Sequence, residues 1–96
     1  MTKKEILSIL REHKEEFRKK YGVTKIGLFG SYARDEATET SDVDIVVEMK
    51  HPSFLYLAQI KEILEKDLHK KIDLVRLRKN INKYLKEVLQ KEAEYV

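Results

Sequence analysis

Within its first half the chain changes its hydrophobic period, and that change restricts the possible folds more than any other feature. Ile6, Leu7, Leu10, Phe17 and Tyr21 recur at the spacing of one helix face, and the pattern stops at Gly22. The stretch that follows, "VTKIGLFG", is short and apolar and predicts a buried strand ending at Gly30. From Asp42 to about Met49 a second strand is predicted, in which Asp42 and Asp44 alternate with Val43 and Ile45. Side chains alternate across a strand, so the two acids share one face and their apolar neighbours take the other.

The remaining segments continue the alternation of helix and strand. Thr2 with Glu5 three positions later forms a capping box for the first helix. One or two helical turns are predicted from Ser31 to about Ala37, followed by the polar loop "TETS". His51-Pro52-Ser53 interrupts the chain and caps a long helix with Leu57, Ile60, Leu64 and Leu68 at helical spacing. "KKIDLVRL" predicts a third strand in which Asp73 projects away from Ile72 and Leu74. The segment from Asn80 onward, with Ile81, Tyr84, Leu85, Val88 and Leu89, predicts a closing amphipathic helix.

This order predicts a small α/β (α+β) domain with a three- to four-stranded mixed sheet, helices covering one face and the other partly open. With 96 residues, 42% of them hydrophobic, the chain is expected to form a single domain spanning 1–96. No apolar run approaches the ~20 residues that cross a bilayer, and "MTKKEILSIL" lacks the pattern of a signal peptide. The expectation is a cytoplasmic protein with no membrane partner. Twenty basic and 17 acidic side chains leave a net charge of +3. Lys and Arg are mixed with Glu in "LREHKEEFRKK", the pattern of a solvated helix face, so direct nucleic-acid binding is not supported.

The absence of cysteine excludes disulfides and thiolate zinc sites, and His13, His51 and His69 lack metal-ligand spacing. Any metal is therefore expected on oxygen ligands. If the second and third strands are neighbours, Asp42, Asp44 and Asp73 can meet on one face. Like charges ~4 Å apart repel by on the order of 4 kcal/mol at an effective dielectric of 20, so a counter-ion is called for, and Mg²⁺ suits the all-oxygen set. Gly30 lets the backbone turn tightly and approach a ligand, and Ser31 adds a hydroxyl at the start of a helical turn, a combination that favours anions. Arg34 is placed to reach phosphates or to pair with a carboxylate.

Gly30-Ser31, ten intervening residues, Asp42-Val43-Asp44 and a third acid in Ile72-Asp73-Leu74 resemble the signature of the polymerase-beta-type nucleotidyltransferase superfamily. In its compact form, "LFGSYAR" with "SDVDIVV", the pattern resembles the minimal nucleotidyltransferase (MNT) group, which includes the antitoxins of HEPN/MNT toxin-antitoxin systems. The resemblance implies the small nucleotidyltransferase fold and Mg²⁺-dependent transfer of AMP from ATP. It implies Asp42, Asp44 and Asp73 as catalytic residues and ligands of two metal ions, with Asp73 also the base, and Gly30 and Ser31 as holders of the triphosphate beside Arg34. The implied acceptor is a tyrosine on a partner HEPN ribonuclease toxin. Asp35 departs from the pattern, since many relatives have glycine there, and it brings an acid towards the phosphate site. Two other functions share the motif: an antitoxin that inhibits by binding alone, and a small-molecule nucleotidyltransferase, which generally carries a further helical domain for its acceptor. Phe54, Tyr56 and Tyr95 are candidates for partner docking, although aromatics on an amphipathic helix are expected to face the core.

Overall fold

In the computed structural model, which describes residues 1–96, α1 (Lys3–Tyr21) begins at the predicted capping box. The Glu5 N–H donates to the Thr2 hydroxyl at 3.2 Å and the Thr2 N–H donates to the Glu5 carboxylate at 3.0 Å. At the other end the Gly22 N–H donates to the Arg18 carbonyl and the helix stops. There follow β1 (Val23–Phe29), a single helical turn α2 (Gly30–Ala33), β2 (Val43–Met49), α3 (Phe54–Leu68), β3 (Ile72–Arg76), α4 (Lys83–Glu92) and β4 (Glu94–Tyr95). Ser53 caps α3 by accepting from the Tyr56 N–H, and Asn82 caps α4 by accepting from the Tyr84 and Leu85 N–H groups. No helix is long and apolar enough to cross a membrane.

The four strands form one mixed sheet in the order β3-β2-β1-β4. β1 runs antiparallel to both β2 and β4, and β2 runs parallel to β3 through the α3 crossover. The fourth strand has only two residues and lies against Gly27 and Leu28. Gly27 makes this approach possible, because a Cβ there would stand 2.8 Å from the Glu94 carbonyl oxygen.

Ile6, Leu10 and Phe17 of α1 and Ile60, Leu64 and Leu68 of α3 bury against Ile26, Leu28, Val43, Ile45, Val47 and Ile72. Each such side chain removed from water contributes about 1.5–3 kcal/mol, so this layer holds the domain together. The two long helices thus cover one face, as the pattern predicts. α4 adds a smaller layer on the opposite face, where Leu89 packs with Phe29 and Val46 beside Val75. Apolar residues at those positions give α4 a surface to bury. The rest of that face carries Asp44 and Asp73.

Candidate active site

The β2–β3 register places Asp44 directly opposite Asp73. Val43, Ile45, Ile72 and Leu74 turn into the main core, so period-two alternation sends both acids to the face that α4 only partly covers. Asp44 is half-buried and Asp73 is exposed. Burial, followed by the charge and hydrogen bond of Asp73 and the charge of Asp42, pushes the Asp44 carboxyl up from 3.8 to about 6, while Arg34 pulls in the opposite direction. Asp44 therefore holds its proton to a higher pH than an ordinary carboxyl does.

The predicted convergence of three carboxylates is only partly formed. Asp42 is exposed and precedes β2, outside the ladder whose first pair is Val43 with Ile72, so nothing aligns it with Asp73. It reaches Asp44 through its charge, and no set of three or more carboxylate or imidazole groups is arranged to hold a metal ion. Mg²⁺ is commonly held by one or two carboxylates, with substrate phosphates and water completing its shell. The crowded, all-oxygen pair of Asp44 and Asp73 fits one such ion, whereas the two-ion arrangement implied by the resemblance would need Asp42 drawn in.

Gly30 adopts φ +77°, and a Cβ there would collide with the Asp44 carboxylate, its Cγ only 2.8 Å away. The glycine is thus required by the position of Asp44 as well as by any ligand that approaches the turn. With four residues, α2 contributes individual donors rather than a helix dipole. The Gly30 N–H donates to Glu92 Oε1 at 3.2 Å. Arg34 Nη1 donates to both Glu92 oxygens, at 2.9 and 3.0 Å, and its Nε donates to Glu36 at 2.7 Å. Of the two roles open to Arg34 from sequence, the structure therefore displays the carboxylate pairing. Ser31 is partly exposed next to Gly30. Asp35 has φ +59°, a left-handed conformation that Asp tolerates better than most residues and that glycine adopts freely. Its carboxylate acts on Lys3, whose ammonium is raised chiefly by its bond to Glu94.

Glu92 was not legible from the sequence as a site residue. Neither was the exposure of Phe54, the first residue of α3, which is 93% exposed instead of facing the core. With Leu57, Val75, Arg76, Ile81 and Leu85 it lines an open cleft of about 400 Å³ between α3 and α4. Tyr56 does pack, edge-on against Tyr21 with ring centroids 5.1 Å apart, and Tyr95 lies under the Lys25 ammonium.

The family described as nucleotidyltransferase domain matches residues 10–96. The chain is 42% identical over 97 residues to the protein adenylyltransferase MntA of Thermococcus cleftensis, covering 100% of this chain and 97% of that one. Among solved structures, a candidate minimal nucleotidyltransferase superposes with a TM-score of 0.77 at 32% identity, covering 98% of this chain and 95% of that chain. A complex of a tri-AMPylated Shewanella oneidensis HEPN toxin with an MNT antitoxin shares the fold at 22% identity, with a TM-score of 0.62 over 97% of this chain and 66% of that one.

Proposed function

This chain belongs to the nucleotidyltransferase domain family and is a nucleotidyltransferase, and from that membership we propose that it transfers AMP from ATP to a tyrosine of a partner HEPN ribonuclease, acting as that toxin's antitoxin. The observation that carries this reading is the pairing of Asp44 with Asp73 on an incompletely covered sheet face, directly beside the Gly30 turn. In this account residues 1–96 work as one minimal nucleotidyltransferase domain. The protein adenylyltransferase of Thermococcus cleftensis and the AMPylated toxin in the Shewanella complex support the choice of a protein acceptor.

The Gly30 N–H, the Ser31 hydroxyl and the Arg34 guanidinium anchor the phosphates of ATP. Asp44 and Asp73, with Asp42, would hold Mg²⁺, which when bound neutralises charge on the phosphates and polarises them. The acceptor tyrosine oxygen attacks the α-phosphorus, the bond from that phosphorus to the bridging oxygen breaks, and pyrophosphate leaves. Asp73, the more exposed of the paired acids, takes the phenolic proton. Small acceptors are normally enclosed on most of their surface, and the elements around Asp73 leave that side of the sheet open, so the acceptor brings its own surface. An antitoxin acting by binding alone has no use for a carboxylate pair that disfavours folding. The assay is transfer of labelled AMP to a candidate HEPN partner protein, with Asp44→Asn as the comparison. Transfer by the wild type and none by the variant is expected, and equal transfer by both removes the carboxylate assignment.

A further inference from the structure

Glu92, the last residue of α4, joins three features of the site that the reaction does not by itself explain. Its carboxylate is mostly shielded from solvent, accepts the Gly30 N–H, and takes two bonds from Arg34 Nη1. The same donors are the ones assigned to the nucleotide's phosphates. A backbone N–H has a single hydrogen, so a second acceptor shares and weakens the bond, and Arg34 already gives its Nε to Glu36. A phosphate oxygen therefore competes with Glu92 for the Gly30 N–H. A carboxylate and a phosphate are alike in charge sign and in their fit to a guanidinium fork.

We propose that Glu92 is a built-in anion occupying the phosphate subsite, and that the nucleotide's phosphates bind by exchanging with it. The proposal rests on the nucleotidyltransferase reading of the site. It makes Glu92 a determinant of affinity, because a ligand must carry enough negative charge to displace a carboxylate bound to Arg34. It also links that exchange to the C-terminal segment. One residue beyond Glu92, the Ala93 N–H closes the end of α4 on the Leu89 carbonyl, and Glu94 and Tyr95 then pair with β1. The Val96 N–H donates to the Ile26 carbonyl at 3.0 Å. Release of Glu92 loosens this tail at its inner anchor.

The test is equilibrium binding of ATP with Mg²⁺ to the wild type and to Glu92→Gln, together with amide hydrogen exchange of the wild type with and without the nucleotide. Glu92→Gln keeps the shape and removes the competing charge, so its Kd is expected to fall roughly tenfold, about 1.4 kcal/mol. The amides of Ala93 and Val96 in the wild type are expected to exchange faster when ATP is bound. A Kd for Glu92→Gln equal to or above the wild-type value overturns the proposal and leaves Glu92 as a residue that positions Arg34. Unchanged or slower exchange at Ala93 and Val96 overturns the link to the tail. If the wild type binds no ATP at all, the nucleotide reading fails and the exchange proposal falls with it. That outcome is distinguished by the wild-type titration alone.

Discussion

Replacing Asp44 by Asn should make the metal-free protein more stable at neutral and alkaline pH while ending catalysis. In the folded chain Asp44 titrates at about 6 against an ordinary 3.8, for reasons of burial first and of Asp73 second. At ~1.36 kcal/mol per pKa unit that difference is at most about 3 kcal/mol, and because Asp44 is partly open to water, screening reduces it to on the order of 1–2 kcal/mol. The sign follows from linkage. A carboxyl raised on folding favours the folded state below its unfolded value, and this contribution is lost as pH rises through the folded value. Wild-type stability should therefore decline from about pH 4 to above pH 6, relative to a variant that cannot ionise there. Urea unfolding with EDTA present, at pH 4 and pH 8, measures this. Asp44→Asn should exceed the wild type by about 1–2 kcal/mol at pH 8 and match it at pH 4. A variant less stable than the wild type at pH 8, or a difference independent of pH, refutes the reasoning.

Gly30→Ala forces a Cβ into the Asp44 carboxylate in a left-handed backbone; it should lose about 1–2 kcal/mol of stability and all measurable AMP transfer, checked by thermal melting and by the labelled transfer assay. Ser31→Ala removes one of several donors and should reduce transfer only roughly ten- to a hundredfold in the same assay. His13 joins α1 to α3 through Asp67, at 2.5 Å, and is raised above 6.5 because its bonds to Asp67 and Glu16 outweigh the burial that lowers it. That contribution is fully present below 6.5 and fades as pH rises through the folded value, so His13→Asn should destabilise the protein by on the order of 1 kcal/mol at pH 5.5 and by less at pH 8.5, read from unfolding curves at the two pH values.

The parts of the fold that were legible in the sequence were those with a period or a cap. Asp44 and Asp73 could be assigned to one face because strand alternation is strict, and α1 and α3 were bounded by Thr2, Gly22 and Ser53, whose side chain or backbone closes a helix end. What the alternation could not convey is alignment between strands. Asp44 meets Asp73 in register, whereas Asp42 falls outside the ladder. β4 escaped notice because two residues carry no period, and its existence depends on the missing side chain of Gly27. For Phe54 helical spacing could not decide between docking and packing, because it says nothing about a residue on the first turn that projects beyond the core. Glu92 is one of 17 acids and sits at the end of an amphipathic helix; its partners Arg34 and Gly30 lie 58 and 62 positions away, and only the folded chain brings them together.

The most direct test of the proposed activity is the intact mass of a candidate HEPN partner after incubation with this chain, ATP and Mg²⁺, with its ribonuclease activity measured on the same sample. The expected result is the addition of one or several AMP units, mapped to tyrosine, with ribonuclease activity lost in proportion to the modified fraction and no gain when Asp44→Asn replaces the wild type. An unmodified partner that is nevertheless inhibited stoichiometrically would contradict protein adenylylation and establish inhibition by binding, and an unmodified, fully active partner would contradict the antitoxin role.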